Sequence, residues 1–481
     1  MIVMNYYLFG VVIYLLVMMG MGVYFAKNEV KSEEDFMVAG RSLPLWIVVG
    51  TLIATFVGSG TIVGGASFTY QYGPLASLFN MTGGFFAAMI LFFIADKIRE
   101  KEIFTIPELI EGRFGLTARI VSSILILFAY IGITAYQFTG GAYILQLTLG
   151  TSLEMGAIIM CVVVVFLTVS GGLFSVAYTD AVSAILILLG LLIAIPFVII
   201  KAGGVSNIVE AMPLNTKTWS GGLSPIQLLG YFLPLFLLAL GDQNMYQRFS
   251  ASKTPRIAKL STLGFMFGIL LVLGMVITLS TVAISLFPGI DPAQTIFIIA
   301  KEAVPTFVGV IIVASAAAFL ITTATSYLLS ASSNVVFDIF HRIKEAREKK
   351  HQGQRSAQSL KKDNSQSLVR FNRVTVVLLG GVAYVLGQFF PTVLTIQMYS
   401  YTMYGATITP VIMAALFWKR ATKEGALASM IIGASATIVW ELVLNRPMEW
   451  NSVLFALPLS IITLVVVSLL TQKKGVVNYG Q

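Results

Sequence analysis

The sequence predicts an all-α integral membrane protein of about 13 transmembrane helices. Three observations carry that expectation. Of 481 residues, 57% are hydrophobic and only 11% charged, and the mean hydropathy is +0.88. The apolar residues gather into runs of about 20, the length a helix needs to cross the hydrocarbon layer. The basic residues sort to one side of those runs. Little chain is left for a soluble catalytic or nucleic-acid-binding domain, so the net charge of +9 is a topology signal and not a nucleic-acid footprint.

Taken in order, the first run, Tyr6 to Ala26, has no Lys or Arg before it and no small-residue cleavage site after it, and reads as a retained span. Further runs lie near 45–70, 72–96, 117–149, 154–170, 174–200, 225–247, 260–287, 305–340, 373–390, 391–418, 424–443 and 452–471. Alternating the loops puts 27 of the 31 Lys and Arg on one side, and leaves Lys201, Lys217, Lys301 and Arg446 on the other. That asymmetry places the amino terminus outside and the carboxyl terminus in the cytoplasm. The insert 341–373, with ten Lys and Arg and no apolar periodicity at its centre, reads as a solvated cytoplasmic linker resting near anionic lipid.

Some chemistry is excluded at the outset. The single cysteine, Cys161, sits in an apolar run and cannot pair within the chain, and both histidines, His341 and His351, fall in the 341–373 insert. No histidine relay or histidine metal site is available in a span, and no nucleophile, base and metal cluster converges as a membrane enzyme would need.

Two spans are interrupted. The second contains Gly58-Ser59-Gly60 near its middle, where glycine weakens a helix by about 1 kcal/mol relative to alanine. Backbone freed at membrane depth must line a cavity or be buried in protein. Close helix packing through Gly60 and Gly64 accounts for the same pattern. The seventh span breaks at Gly241-Asp242. Discontinuous helices five apart are what a five-plus-five inverted repeat predicts, with its site where the two breaks meet. Spans 2–6 (45–200) and 7–11 (225–418) are then the repeats within one transmembrane domain, 1–481, and spans 1, 12 and 13 are peripheral.

The ninth span adds Thr322, Thr323, Thr325 and Ser326. Three of these share a helical face and Thr323 lies beside it. They either bond their own preceding carbonyls or form a ligand face. Hard cations such as sodium take oxygen ligands, which carbonyls from a broken helix and hydroxyls from a facing one supply. Asp180, near the start of the sixth span, either caps the helix or pairs with a cation.

Together these stretches resemble the sodium/solute symporter family, whose members carry proline, sugars, sialic acid, pantothenate or monocarboxylates. The resemblance runs from Asp35-Phe36-Met37-Val38-Ala39-Gly40-Arg41 through Gly171-Gly172, Thr179-Asp180, Asp242-Gln243 and Gln247-Arg248 to Tyr404-Gly405-Ala406 and Phe417-Trp418-Lys419-Arg420. It implies a LeuT-like fold, no cofactor beyond a coupling sodium ion, and a sodium site formed by the carbonyls of Ala54, Val57 and Phe319 with the hydroxyls of Thr322 and Thr323. A second sodium site of some members matches Asp180, Thr322, Thr325 and Ser326. The implied solute-facing positions are Gly58, Ser59, Gly60, Thr61, Asn80, Gly83, Asp242, Gln243, Tyr399 and Thr402. Asp242 contacts either a solute or a neighbouring helix end.

Sugar-transporting members carry acidic and amide side chains where this chain has Gly60, Thr61, Asn80 and Gly83, so a sugar fits least well among amino acids, carboxylates, vitamin-like solutes and sugars. Proline-transporting members carry an aspartate where this chain has Phe56, which tells against a direct proline assignment. The expected function is sodium-coupled import of a small organic solute across the cell membrane by alternating access. The rivals are a proton-coupled permease of the same fold using Asp180 or Asp242, a membrane enzyme, and a channel.

Overall fold

The computed structural model describes residues 6–28, 37–170, 173–345 and 364–472. Asp35, Phe36, Gly171 and Gly172 of the family motifs, and most of the 341–373 insert including His351, lie outside the described residues. Among the described residues the chain is helical with no strand, and each of the thirteen predicted stretches is a helix.

In chain order these are α1 (Tyr6–Asn28), α2a (Leu45–Phe56) and α2b (Gly60–Tyr72), α3 (Pro74–Leu91), α4 (Leu116–Leu149), α5 (Leu153–Ser170) and α6 (Leu173–Lys201). The second half comprises α7a (Pro225–Gly241) and α7b (Gln243–Ala251), α8 (Pro255–Leu286), α9 (Thr306–Ser333, continued to His341), α10 (Asn364–Gly387), α11 (Val393–Thr407, then Thr409–Phe417), α12 (Lys423–Val443) and α13 (Val453–Thr471). Eight helices among the described residues are long and apolar enough to cross a membrane unaided, and the α2 pair, bent by 56°, makes a ninth. α1 and α5 are apolar over shorter lengths. α11 is diluted by Gln397, Ser400, Thr402 and Thr407, all buried against protein.

Local chemistry starts several of these helices. Ser224 and Gln227 form a reciprocal capping box at α7a, and Thr254 followed by Pro255 opens α8. Gly73, at φ +89°, turns the chain between α2b and α3 against the backbone of Thr216, where a side chain would collide with the carbonyl.

α9 is the most enclosed span, with 83% of its apolar window buried, whereas α13 has 28%. The run Ala314-Ser315-Ala316-Ala317-Ala318 explains this, because small side chains let α4 and α6 approach closely. α12 and α13 pack mainly on each other at the periphery. The broken helices α2 and α7 are thus held against α9, α4 and α11 in the middle of the molecule.

Candidate functional site

α2a ends because Val57 leaves the helical conformation, at φ −89° and ψ 97°. The last bond of its ladder runs from Val57 N to Ile53 O at 2.9 Å, and the next helix restarts with Thr61 N and Ile62 N on Gly58 O. The carbonyls between are met from α9: Thr323 Oγ1 donates to Ala54 O at 3.0 Å and to Val57 O at 3.4 Å. One side-chain oxygen therefore stands between two main-chain oxygens, with no charged group among them. That is an all-oxygen donor set of the kind a monovalent cation takes.

The other α9 hydroxyls divide differently. Thr322 Oγ1 bonds its own helix at Phe319 O (3.3 Å), and Thr325 Oγ1 does the same at Thr322 O (3.0 Å). Ser326 Oγ accepts from Arg248 Nη2 at 3.0 Å. The same guanidinium lies 3.3 Å from Asp180 Oδ2, which also accepts from Thr51 Oγ1 at 2.6 Å and Thr55 Oγ1 at 3.4 Å. The cation facing Asp180 in the structure is therefore Arg248. This corrects the charge count as well: Arg248 is wholly buried and is not one of the loop charges that orient the protein.

Gly58 leaves room for no side chain unless Gln137 and Thr323 shift. A Cβ there would lie 2.6 Å from Gln137 Nε2 and 2.9 Å from Thr323 Oγ1. Gln137, from α4, accepts from Ser59 N at 2.8 Å and Ser59 Oγ at 2.7 Å, so its amide holds the start of α2b. On the other flank, a Cβ at Gly60 would lie 2.7 Å from the Tyr401 hydroxyl, and one at Gly64 would overlap Gln397 Oε1. The hydroxyls of Tyr136 and Tyr401 are 3.0 Å apart. Gln137 Nε2, Gln397 Oε1 and Asn80 Nδ2 are buried and have no partner.

Gly58, Ser59 and Gly60 thus meet at the break with residues that sequence reasoning passed over: Gln137, Gln397, Tyr136 and Tyr401. For Gln137 and Gln397 the signal is an amide within an otherwise apolar span, which is costly unless paired; the two tyrosines leave no such trace. Thr61 is buried on the same turn.

Other expected solute-facing residues are engaged elsewhere. Gly83 brings α3 against the α7a backbone, where a Cβ would stand 2.7 Å from Phe236 N. Thr402 Oγ1 donates to Asn451 Oδ1 at 2.9 Å, and the Tyr399 ring packs on Phe390. The Gln243 amide lies against the Asn334 amide, and Gln243 Oε1 accepts from Ile106 N at 3.3 Å. Asp242, 1% exposed, accepts from Tyr130 at 2.5 Å, Tyr327 at 2.9 Å and Asn244 N at 3.2 Å. Asp242 caps α7b. Phe56 is an interface residue, edge-on to Phe265 and laid over Gly84.

A second constellation closes the end where α9 meets the helix Ile106–Phe114. Arg119 pairs with Asp338 at 2.6 Å and with Glu111, which also pairs with Arg342 at 2.8 Å. Burial pushes the Glu111 carboxyl up, but bonds from Arg342 and Arg119 outweigh it and hold it below its ordinary value. Glu111, Arg119 and Arg342 line a cavity of about 470 Å³ together with Met37, Phe104 and His341.

Discontinuous helices packed on an enclosed α9, with freed carbonyls and a facing hydroxyl, define a secondary transporter with a LeuT-like fold. The fold is shared with a Na+-coupled sialic acid symporter in a substrate-bound outward-open state (TM-score 0.79, 18% identity, 98% of this chain and 99% of that one). It is also shared with Mhp1, a nucleobase-cation-symport-1 family transporter (TM-score 0.59, 13% identity, 92% and 96%). The model of the sodium:solute symporter family matches residues 36–433, and the chain belongs to that family. It is similar over 97% of its length to the sodium/proline symporter of Staphylococcus aureus (strain JH9), 25% identical and 93% covered. The protein is accordingly a multi-pass membrane transporter that couples solute movement to sodium, and not an enzyme.

Proposed function

We propose that this transporter imports a small organic solute of amino-acid size, binding sodium at Ala54 O, Val57 O, Phe319 O and the hydroxyls of Thr322 and Thr323. The observation that carries the reading is Thr323 Oγ1 standing between the Ala54 and Val57 carbonyls. A cation arriving there replaces the hydroxyl proton as the electropositive partner of both carbonyls, and so ties α2 to α9.

The solute position beside it is proposed at Gly58, Ser59, Gly60 and Thr61, faced by Gln137, Tyr136, Gln397 and Tyr401. An unpartnered amide N–H on one flank and an unpartnered amide oxygen on the other support a solute with both acceptor and donor groups. Asn80 supplies a further donor. The described residues beside the break offer no unpaired cation to hold a carboxylate alone, which favours a zwitterion or neutral polar molecule over a simple monocarboxylate. The proline and sialic acid relatives bracket that size range.

The basic asymmetry of the loops supports an amino terminus outside, a carboxyl terminus in the cytoplasm and residence in the plasma membrane. The two interrupted helices support repeats at 45–200 and 225–418. The test is a thermal-shift screen of the purified protein against amino acids, carboxylates, vitamins and sugars, in sodium and in potassium. Stabilisation by an amino acid in sodium alone is expected; equal stabilisation in potassium would remove the sodium site from the solute's binding cycle.

A further inference from the structure

Beyond the end of α3 the chain turns into a short helix, Ala95–Glu100, which packs on the first turns of α8. Residues 95–102 and 252–259, which form this corner, hold six cations and three acids. Two of the cations are used within the fold. Arg99 donates through Nε to Ser252 O at 2.7 Å and pairs with Glu102 at 3.5 Å. Lys259 pairs with Asp96 at 3.5 Å, its ammonium 5.0 Å from the centre of the Phe92 ring. The other four, Lys97, Lys101, Lys253 and Arg256, are exposed, and no acid among the described residues pairs with them.

Apolar side chains with no protein over them lead up to these charges. On α8, Arg256 shares one helical face with Leu260, Leu263 and Phe267, which are 37%, 46% and 67% exposed. The second half of α3 packs along α8 and exposes Phe86, Ile90 and Phe93. Each stripe therefore runs through the span and ends in a cation. The start of α8 sharpens the point, because Lys253 and Arg256 flank the positive end of the helix dipole, where cations are disfavoured. An anion placed there reverses that cost, since the cations and the free N–H groups of the first turn then share one partner.

We propose that the corner between α3 and α8 binds an anionic diacyl phospholipid, its phosphate held by Lys97, Lys253 and Arg256 and its acyl chains laid on the exposed stripes of the two helices. Charge complementarity selects the headgroup, and the stripes that continue from the cations select a lipid over a free phosphate. The corner also receives the chain that enters α2a: Leu43 N donates to Ala251 O at 3.1 Å and Lys253 N to Leu43 O at 3.0 Å. A lipid on Lys253 and Arg256 thus braces the junction between the start of α2a and the end of α7b, one end of each broken helix.

The experiment is native mass spectrometry of the purified full chain in detergent, titrated with dioleoyl phosphatidylglycerol, dioleoyl phosphatidylcholine or glycerol 3-phosphate. Phosphatidylglycerol is expected to bind at least about tenfold more tightly than phosphatidylcholine, since each nearby cation contributes about fivefold. The combined variant Lys97→Gln, Lys253→Gln and Arg256→Gln is expected to lose about 30- to 100-fold in that affinity with its thermal midpoint in detergent unchanged. A control with as many charges removed elsewhere on the basic side, Lys419→Gln, Arg420→Gln and Lys423→Gln, is expected to bind as the unmodified protein does. Equal affinity for the two lipids in the unmodified protein would overturn the inference without any variant. A control that loses as much as the corner variant would overturn it too, because the binding would then belong to diffuse surface charge. Glycerol 3-phosphate binding as tightly as phosphatidylglycerol would replace the lipid with a free phosphate.

Discussion

The breaks in α2 and α7 use the same device and are finished in opposite ways. At α7 every group the interruption frees is met by protein. The Asp242 carboxylate caps Asn244 N and receives two phenols, while Tyr404 donates to Gly241 O at 2.7 Å and accepts from Gln243 N at 3.1 Å. At α2 no charge is present, one hydroxyl spans two carbonyls, and the flanking amides of Gln137 and Gln397 each keep an unused atom. A buried polar group without a partner is costly. At α7 the main chain is met and the unpartnered atom is the side-chain Asn244 Nδ2 just past the break, whereas at α2 the unpartnered amides face the opened main chain itself. The two interruptions are alike in the main chain, and side chains finish them differently.

The largest effect that separates them is expected at α7. Asp242→Ala leaves the Tyr130 and Tyr327 hydroxyls and Asn244 N–H without their acceptor in a fully buried setting. Each orphaned donor costs about 1–3 kcal/mol, so a loss of at least about 3 kcal/mol is expected, read as a fall in thermal midpoint or in yield of folded protein. Asp242→Asn keeps an acceptor oxygen and loses less. An Asp242→Ala protein with the original thermal midpoint in sodium-free buffer would show that the α7 break is not sealed by this carboxylate.

Next comes Thr323. Thr323→Ala removes an oxygen that the proposal gives to the ion, and a bond to a charged group is worth about 1.5–3 kcal/mol. The sodium concentration for half-maximal binding is expected to rise about 10- to 100-fold, while thermal stability in potassium falls by only about 1 kcal/mol, the cost of the hydroxyl's own bonds to the two carbonyls. Thr323→Ser restores the hydroxyl and most of the affinity. Unaltered sodium affinity in Thr323→Ala would break the contrast from the α2 side.

How much of this the sequence disclosed follows from what leaves a local trace. Apolar runs of spanning length and the two glycine interruptions are local, and they predicted the thirteen helices and both breaks. Thr323 was legible because four hydroxyls in five residues are conspicuous on an apolar helix. Its neighbours Thr322 and Thr325 turn back to their own helix, a choice between rotamers that spacing does not encode. Arg248 was misread because a basic residue next to a polar segment looks like a loop charge. Its burial depends on Asp180, 68 residues away. Gln137 and Gln397 acquire meaning only through α2's glycines, a contact between helices distant in sequence.

The smallest effect sharpens the comparison most, because it separates the bend from the ion. Tyr404 touches no proposed sodium ligand; its hydroxyl bridges the main chain on both sides of Asp242 and its ring stacks on Tyr130 at 5.5 Å. Tyr404→Phe keeps the ring and removes both bonds, leaving Gly241 O and Gln243 N–H unmet at the break. A cost of about 1–2 kcal/mol is expected, moving the thermal midpoint equally in sodium and in potassium. Sodium affinity is expected to stay within about twofold, because the Tyr404 hydroxyl bonds Gly241 O and Gln243 N and none of the proposed sodium ligands. A sodium-specific loss of stability in this variant would mean that the two breaks are energetically one site, and the division between a sealed bend and an open one would fail.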